Sequence, residues 1–403
     1  MTFPNEDHQK REWCELDGLV LCGNHLIILE VKAIAFARKS PFENFGAHVG
    51  SFVNLISAPS RQGLRFLQYF QSNEEISIYD AKHKPLRTLR KSDYSHVTVC
   101  ALSIDAITEI ASKMQHLTPL GIDLANEPVL PLSLDDLRVY RDAFTNPYRF
   151  LHFLEQRMKA SRSLAVELDD ELDHLGLYLE HNDYSMHAED LKEGLDYVRF
   201  AGYRRSIDQY FHARLRNPDL ISPLEQGIPP IISKILCYFQ ALGDYRNSEL
   251  TSELLNLSGE SRRKLDDLVT YSLQRQPAKK SVIFGSMTGE ARLTVACWQP
   301  FLFHQNTQTL QKHAKIDLLM HDETDRMVLG LTFSENSKIT QISWRRIRRQ
   351  EISSEEEAML RPEIIKTRIR RMMKVRQEEG KIGRNRKCTC GSGLKFKKCC
   401  GKN

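Results

Sequence analysis

No run of about 18 apolar residues occurs in this 403-residue chain, so no segment reads as a bilayer-spanning helix. The opening residues, MTFPNEDHQKREW, are charged and lack the apolar stretch of a secretory signal, which points to a cytoplasmic protein. A fixed-period repeat, a low-complexity tract and a Gly-x-x-x-x-Gly-Lys-Ser/Thr loop are all missing, which excludes a solenoid and P-loop ATP chemistry. Cysteine is sparse over most of the length. Cys14, Cys22, Cys100, Cys237 and Cys297 stand singly, which reads as reduced core thiols rather than a disulfide framework.

Hydrophobic residues make up 41% of the chain, enough for two or three folded domains. The net charge of +5 is unevenly spread. Residues 345–403 carry 19 Lys/Arg against 7 Asp/Glu, which leaves the remainder at −7. A basic tail on an acidic body fits attraction to an anionic partner, nucleic acid above all, and also fits a solvated linker helix.

Strand and helix patterns alternate up to Asn146. A hairpin over Glu15–Ala33 is followed by a helix after Ser60, a buried strand at Val97–Ile104, a helix over 105–117, an apolar strand near "PVLPL" and a helix capped by Ser133 with Asp136. This predicts an α/β domain over 1–146. Asn146 and Pro147 form a cap and first-turn pair that opens a mainly helical middle domain, 147–276. Strand patterns at "KSVIFG", "ARLTVACW" and a hairpin about Glu335–Ser337 predict a small α+β unit over 277–343. A basic helical linker over 344–386, divided near Pro362, leads to a cysteine-rich tail at 387–403.

The hairpin carries the most chemistry. Gly23 and Asn24 separate two apolar runs, and a two-residue turn there pairs positions that sum to 47. Leu21 then faces Leu26, Leu19 faces Ile28, Asp17 faces Glu30 and Glu15 faces Lys32, all on one side of the sheet. Opposed carboxylates with apolar neighbours resist ionisation unless positive charge lies between them. Mg²⁺ or Mn²⁺ suits that position, with Asp17, Glu30 and the Val31 carbonyl as ligands and Lys32 aimed at the same place. Such a centre fits phosphodiester hydrolysis. The other reading is a salt-bridged strand end, with Glu15 paired to Lys32.

These residues resemble the PD-(D/E)xK phosphodiesterase superfamily. "ELDGLVL" followed by "LIILEVKA" is especially similar to its nuclease-related-domain members. The resemblance covers about residues 12 to 140 and implies a restriction-endonuclease-like fold. It also implies metal binding by Asp17 and Glu30, assistance from Lys32, and secondary roles for Glu15 and Gln62. Members of the family usually place another acid on a helix upstream of the hairpin. Only fourteen residues precede Glu15 here, so either Glu6 or Glu12 substitutes from a short segment or that helix is missing.

At the other end, "CTCGSGLKFKKCC" separates Cys388 and Cys390 from Cys399 and Cys400 by eight residues, with a glycine turn between the pairs. Four thiolates so arranged match the tetrahedral all-sulfur site of structural Zn²⁺. Adjacent cysteines and a reducing compartment argue against disulfides. Position by position, the string resembles the SEC-C motif, which implies zinc binding and docking of a partner. The basic residues around it, Arg384 to Lys398, suit an acidic protein surface or nucleic acid.

Two further patterns carry less. "YVRFAGYRRSIDQYFHARLR" reads as an amphipathic helix with Tyr203, Tyr210 and Phe211 inward, in preference to a nucleic-acid clamp. His174, His181 and His187 are too unevenly spaced for a metal site. The chain is thus expected to be a metal-dependent nuclease, acting on DNA in preference, recruited through a zinc tail. The competing expectation is an inactive adaptor that docks a chaperone, the translocation machinery or the ribosome.

Overall fold

Two sheets follow from the alternating patterns in the first third of the chain. In the computed structural model, β1 (Thr2–Pro4), β2 (Trp13–Glu15), β5 (Glu75–Tyr79) and β6 (Pro85–Arg90) form a sheet of order β2-β1-β5-β6. The second sheet contains β3 (Gly18–Cys22), β4 (His25–Lys32), β7 (His96–Ser103) and β8 (Val129–Ser133), in the order β3-β4-β7-β8. The structure describes all residues except 6–12, 38–39, 41, 108–110, 114–123, 125–126, 223, 225, 244, 380–382, 389–393 and 399–403, and the side chains of 372 and 374–379. Glu6, Glu12, most of the helix expected over 105–117, and Cys390, Cys399 and Cys400 therefore lie outside it.

β3 and β4 are antiparallel, and Cys22 pairs with His25, Leu21 with Leu26 and Leu19 with Ile28, as the turn predicts. Gly23 has φ of +61°, while Asn24 stays out of the left-handed region, the pattern of a II′ turn. A Cβ on Gly23 would also stand 2.2 Å from Ser248 Oγ and 2.3 Å from the Tyr245 carbonyl oxygen. The hairpin tip is therefore confined by conformation and by space.

β4, β7 and β8 run parallel, and their side chains divide by parity between two cores. Leu26, Ile28 and Val99 pack with Leu55, Ile56, Phe66 and Phe70 on one face. Ile27, Cys100, Leu130 and Leu132 pack with Tyr140, Phe153 and Leu175 on the other. Helices cover both faces, as a parallel sheet requires. α1 (Phe45–Phe52) runs through a π-turn at Val53–Ser57 into α2 (Ala58–Ser72) on the first face. At Gly63, α2 approaches so closely that a Cβ would lie 2.4 Å from Val99 Cγ1.

The other face is covered by α3 (Leu134–Ala143), α4 (Pro147–Ser161) and α5 (Glu171–His181). Ser133 caps α3 by accepting from the Asp136 N–H, and Asn146 caps α4 by accepting from the Tyr148 N–H. Buried Arg157 on α4 meets buried Glu171 on α5 at 2.8 Å, and the Tyr140 hydroxyl donates to the same carboxylate at 2.9 Å. With both charges and their hydrogen bonds matched, the pair can be held out of water.

α6 (Tyr184–Leu191) and α7 (Arg205–Arg216) complete this unit, together with a short parallel pair, β9 (Val166–Leu168) and β10 (Val198–Phe200). Tyr210 is buried, Tyr203 and Phe211 pack against the core, and Arg199, Arg204 and Arg214 are ion-paired to Asp169, Asp170 and Asp142. α8 (Pro230–Leu242) has residues in both compact units, while α9 (Ser248–Asn256) belongs to the first. The first unit comprises Met1–Gly227 with Phe239–Asn256, and the second Ile228–Tyr238 with Leu257–Asn403.

In the second unit, α10 (Gly259–Lys279) precedes a sheet of order β11-β12-β13-β14. Its strands are β11 (Phe284–Met287), β12 (Leu293–Trp298), β13 (Asp325–Phe333) and β14 (Ile339–Arg348). β12 and β13 are parallel and joined through α11 (Thr307–His321), while the outer strands are antiparallel. Fully buried Arg326 is satisfied by Glu323 at 2.6 Å, Ser286 and Thr294 hydroxyls at 2.7 Å, and the Met287 carbonyl at 2.8 Å.

The linker departs from expectation. Instead of two segments divided near Pro362, a single helix, α12 (Ser354–Glu379), runs through that proline. Ion pairs to α11 hold it on both sides: Lys315 with Glu356 at 2.6 Å, Lys312 with Glu363 at 2.5 Å and Arg371 with Asp317 at 2.6 Å. They offset the loss of one backbone hydrogen bond at proline. Among the described residues, no helix is long and apolar enough to cross a membrane.

Replacement of Gly23 by alanine is expected to cost about 2 kcal/mol in urea unfolding, since the new Cβ meets both a strained φ and the Tyr245 carbonyl. A fully tolerated substitution would mean that the hairpin tip is not confined as described.

Candidate metal centre

Period-two alternation along β4 puts Glu30 on the same face as Leu26 and Ile28, and its side chain is only 2% exposed. Its Cα partner on β7 is Ala101, which leaves room above the strand. Asp17 occupies the bend just before β3, across from Glu30, and its Oδ2 accepts from the Val31 N–H at 2.8 Å. That bond fixes the acid at the strand end, and its carboxyl hydrogen-bonds with Glu30.

Burial, then the nearby Asp17 charge and the hydrogen bond with it, push the Glu30 carboxyl up from 4.5 to about 7, against the pull of Lys32 and Arg65. The other Glu30 oxygen, Oε1, is buried with no hydrogen-bond partner. A buried carboxylate oxygen left in that state costs free energy, unless a proton or a cation compensates it. Lys32, two residues along β4, is half-buried on the same face. On α2, Arg65 adds a second positive charge, and half-buried Gln62 has a buried, unpartnered Oε1. The donor set is carboxylate oxygen with two cations at its edge, a fit to a hard divalent ion and to phosphate.

The structure thus brings together Asp17, Glu30 and Lys32, the three residues singled out on the hairpin. Glu15 is different. It was expected opposite Lys32, but it lies in β2, paired with Thr2 of β1 in the other sheet, and its side chain is exposed. The chain leaves one sheet for the other at Leu16–Asp17, because the N-terminal strand offers Trp13–Glu15 a full backbone ladder. Val31 turns its side chain outward, 42% exposed, and its N–H is already engaged by Asp17.

Sequence reasoning missed a second cluster. His25, His96 and Glu155 each offer a donor atom within 4.8 Å of the others, the one such grouping among the described residues. Strand pairing of His25 with His96 was implicit in the β4–β7 register, but Glu155 lies 130 residues from His25 and has no local signature. His174, by contrast, is buried against the Tyr184 hydroxyl at 3.0 Å, and His181 stacks on His187 with ring centroids 3.8 Å apart.

In the tail, Lys387 and Lys395 form an antiparallel bridge, and the Cys388 N–H donates to the Leu394 carbonyl at 2.6 Å. Cys388 and Phe396 are buried within this turn. The other three cysteines lie outside the described residues.

A family model described as "SEC-C motif" matches residues 384–402. The protein translocase subunit SecA of Carboxydothermus hydrogenoformans is 54% identical over 46 residues, 9% of this chain, and the chain spans 5% of that relative's length. No solved structure matches the chain.

The Glu30 carboxyl generates a pH dependence with a definite sign. The folded protein holds this proton more tightly than the unfolded chain does, so its contribution favours folding at low pH and is lost as pH rises from 4.5 through about 7. Glu30→Gln should therefore raise metal-free stability at pH 8 by about 2 kcal/mol and flatten the stability profile between those values, as read by urea unfolding across pH. An unchanged profile would remove the strained carboxyl from the site.

Proposed function

We propose that the first compact unit is a metal-dependent phosphodiesterase acting on nucleic acid, DNA in preference, and that the cysteine-rich tail binds Zn²⁺ and recruits the protein to its target. The observation that carries this reading is the buried, unpartnered Glu30 oxygen beside Asp17, with Lys32 on the same strand. The sheet is in keeping with it: the acids lie on an antiparallel hairpin whose second strand is joined, through α1, α2 and the β5–β6 pair of the other sheet, to the parallel strand β7.

Asp17, Glu30 and the Val31 carbonyl would hold the ion. When bound, Mg²⁺ or Mn²⁺ supplies Lewis-acid polarisation of phosphate and a more acidic water. The chain's own groups do the remainder. Lys32 places an ammonium where negative charge builds on the phosphate in the transition state. Arg65 lies close enough to Glu30 to draw a phosphodiester backbone toward the acids and to lower the cost of ionising Glu30. The Val31 N–H keeps Asp17 oriented, and the Gln62 amide oxygen is available to a water or a substrate hydroxyl. Glu15, exposed in the neighbouring sheet, has no direct part in this arrangement.

A second reading, an adaptor without activity, is favoured by the match of the tail alone to a described family. In it the SEC-C motif docks a protein partner, and the acidic pair of the first unit is a remnant.

Plasmid and single-stranded DNA, incubated with the purified chain and Mg²⁺ or Mn²⁺, should be cut, with activity falling by about 100-fold or more in Glu30→Gln and Lys32→Ala. Cutting that survives both substitutions would remove this centre, and the absence of cutting with either ion would favour the adaptor. Metal analysis should find a zinc ion bound by Cys388, Cys390, Cys399 and Cys400 that is lost when Cys399 and Cys400 become serine; a tail that retains no zinc in the wild-type chain would overturn the recruitment module.

A further inference from the structure

His25 and His96 open β4 and β7, the two central parallel strands, and they are directly paired in the register. Side chains at paired positions leave the sheet on the same face. The two imidazoles stack with centroids 4.6 Å apart and planes 14° apart. Both Nε2 atoms turn to a single oxygen, Glu155 Oε1 on α4, at 3.0 Å from His25 and 3.8 Å from His96. We propose that His25, His96 and Glu155 bind a divalent transition-metal ion of the zinc class, at the end of the sheet opposite Asp17 and Glu30.

The distances suit the ion. Donors around a tetrahedral zinc, at bonds of about 2.0–2.1 Å, stand roughly 3.3 Å from one another, close to both separations observed. Without an ion the cluster is only partly satisfied. His25 can share one hydrogen bond with Glu155, but 3.8 Å is too long for His96 to make a second. Burial and the facing His25 ring hold the His96 imidazole below its ordinary value, against the pull of Glu155, which favours the neutral form that a metal requires.

The surroundings are built to hold these groups in place. Ser252 donates its hydroxyl to Glu155 Oε2, leaving Oε1 for the histidines. That is the outer hydrogen bond by which carboxylate ligands are commonly oriented. The residues just before the two histidines are joined as well. Asn24 Nδ2 donates to Ser95 Oγ at 2.7 Å, and Ser248 Oγ donates to Asn24 Oδ1 at 2.6 Å. His25 is 1% exposed, while His96 borders a cavity of about 600 Å³ that Lys159, Asp183 and Asn256 also line. Three protein donors and a cavity leave the fourth position to water.

The two centres would take different ions. Imidazole nitrogen selects zinc-like metals, whereas the carboxylate pair around Glu30 suits magnesium or manganese. Glu30 lies five steps along β4 from His25, roughly 17 Å of strand, so neither centre shares a ligand with the other. The inference does not depend on phosphodiesterase activity.

The test uses the full-length chain with Cys388, Cys390, Cys399 and Cys400 changed to serine, stripped by chelator and titrated calorimetrically with Zn²⁺ in excess Mg²⁺. The expected result is one Zn²⁺ per chain. Affinity should fall by roughly 100-fold or more in His96→Gln and in Glu155→Gln, and hold in Asp17→Asn. His96 is partly exposed, so its glutamine variant should keep the wild-type circular dichroism. Absence of zinc binding in the serine-substituted chain would overturn the proposal, as would binding that persists in both His96→Gln and Glu155→Gln.

Discussion

The pairing register of the Gly18–Lys32 hairpin is the constraint on which the first unit depends. A slip by one residue would send Glu30 and Lys32 to the opposite face and bring Leu29 and Val31 into their place. Three effects oppose it. Gly23 accepts a backbone conformation closed to most residues and fits beneath Ser248 and the Tyr245 carbonyl. The apolar positions of β4 then divide between two separate cores, one against α2 and one against α3 and α4. Asp17 closes the far end through the Val31 N–H.

The same register explains why β4 carries polar side chains at both ends and apolar ones in its middle. Leu26, Ile27 and Ile28 are consumed by packing on the two faces. The polar side chains sit at the two rims, each beneath a helix: Glu30 near Arg65 of α2, and His25 and His96 against Glu155 of α4. At one rim the buried Glu30 carboxyl is crowded against exposed Asp17 with an oxygen left over; at the other, two imidazoles and a carboxylate converge. The buried Arg157–Glu171 pair, placed among the covering helices, has its charges and hydrogen bonds matched and offers no comparable opening.

Local signals in the sequence were strong where the physics is local. The Gly-Asn turn, the caps at Ser133 and Asn146, and the strands at His96–Ser103 and Val129–Ser133 follow from residues that act on their immediate neighbours. Glu15 misled because its fate depends on Thr2–Pro4, a strand too short to announce itself, which captures Trp13–Glu15 for another sheet. Pro362 misled because its effect on the backbone is outweighed by ion pairs to a helix some fifty residues earlier. The histidine cluster was invisible for the same reason in a stronger form, since two sheet positions and a helix distant in the chain must first be brought together.

The continuity of α12 through Pro362 has a mechanical consequence. Twenty-six helical residues extend for about 39 Å, where a flexible segment of equal length would fluctuate over a broad range of spans. Clamped to α11 from Glu356 to Arg371, such a rod behaves as a stiff spacer. Its length fixes how far beyond that clamp the helix ends, and so the point from which the chain continues toward the cysteine-rich end.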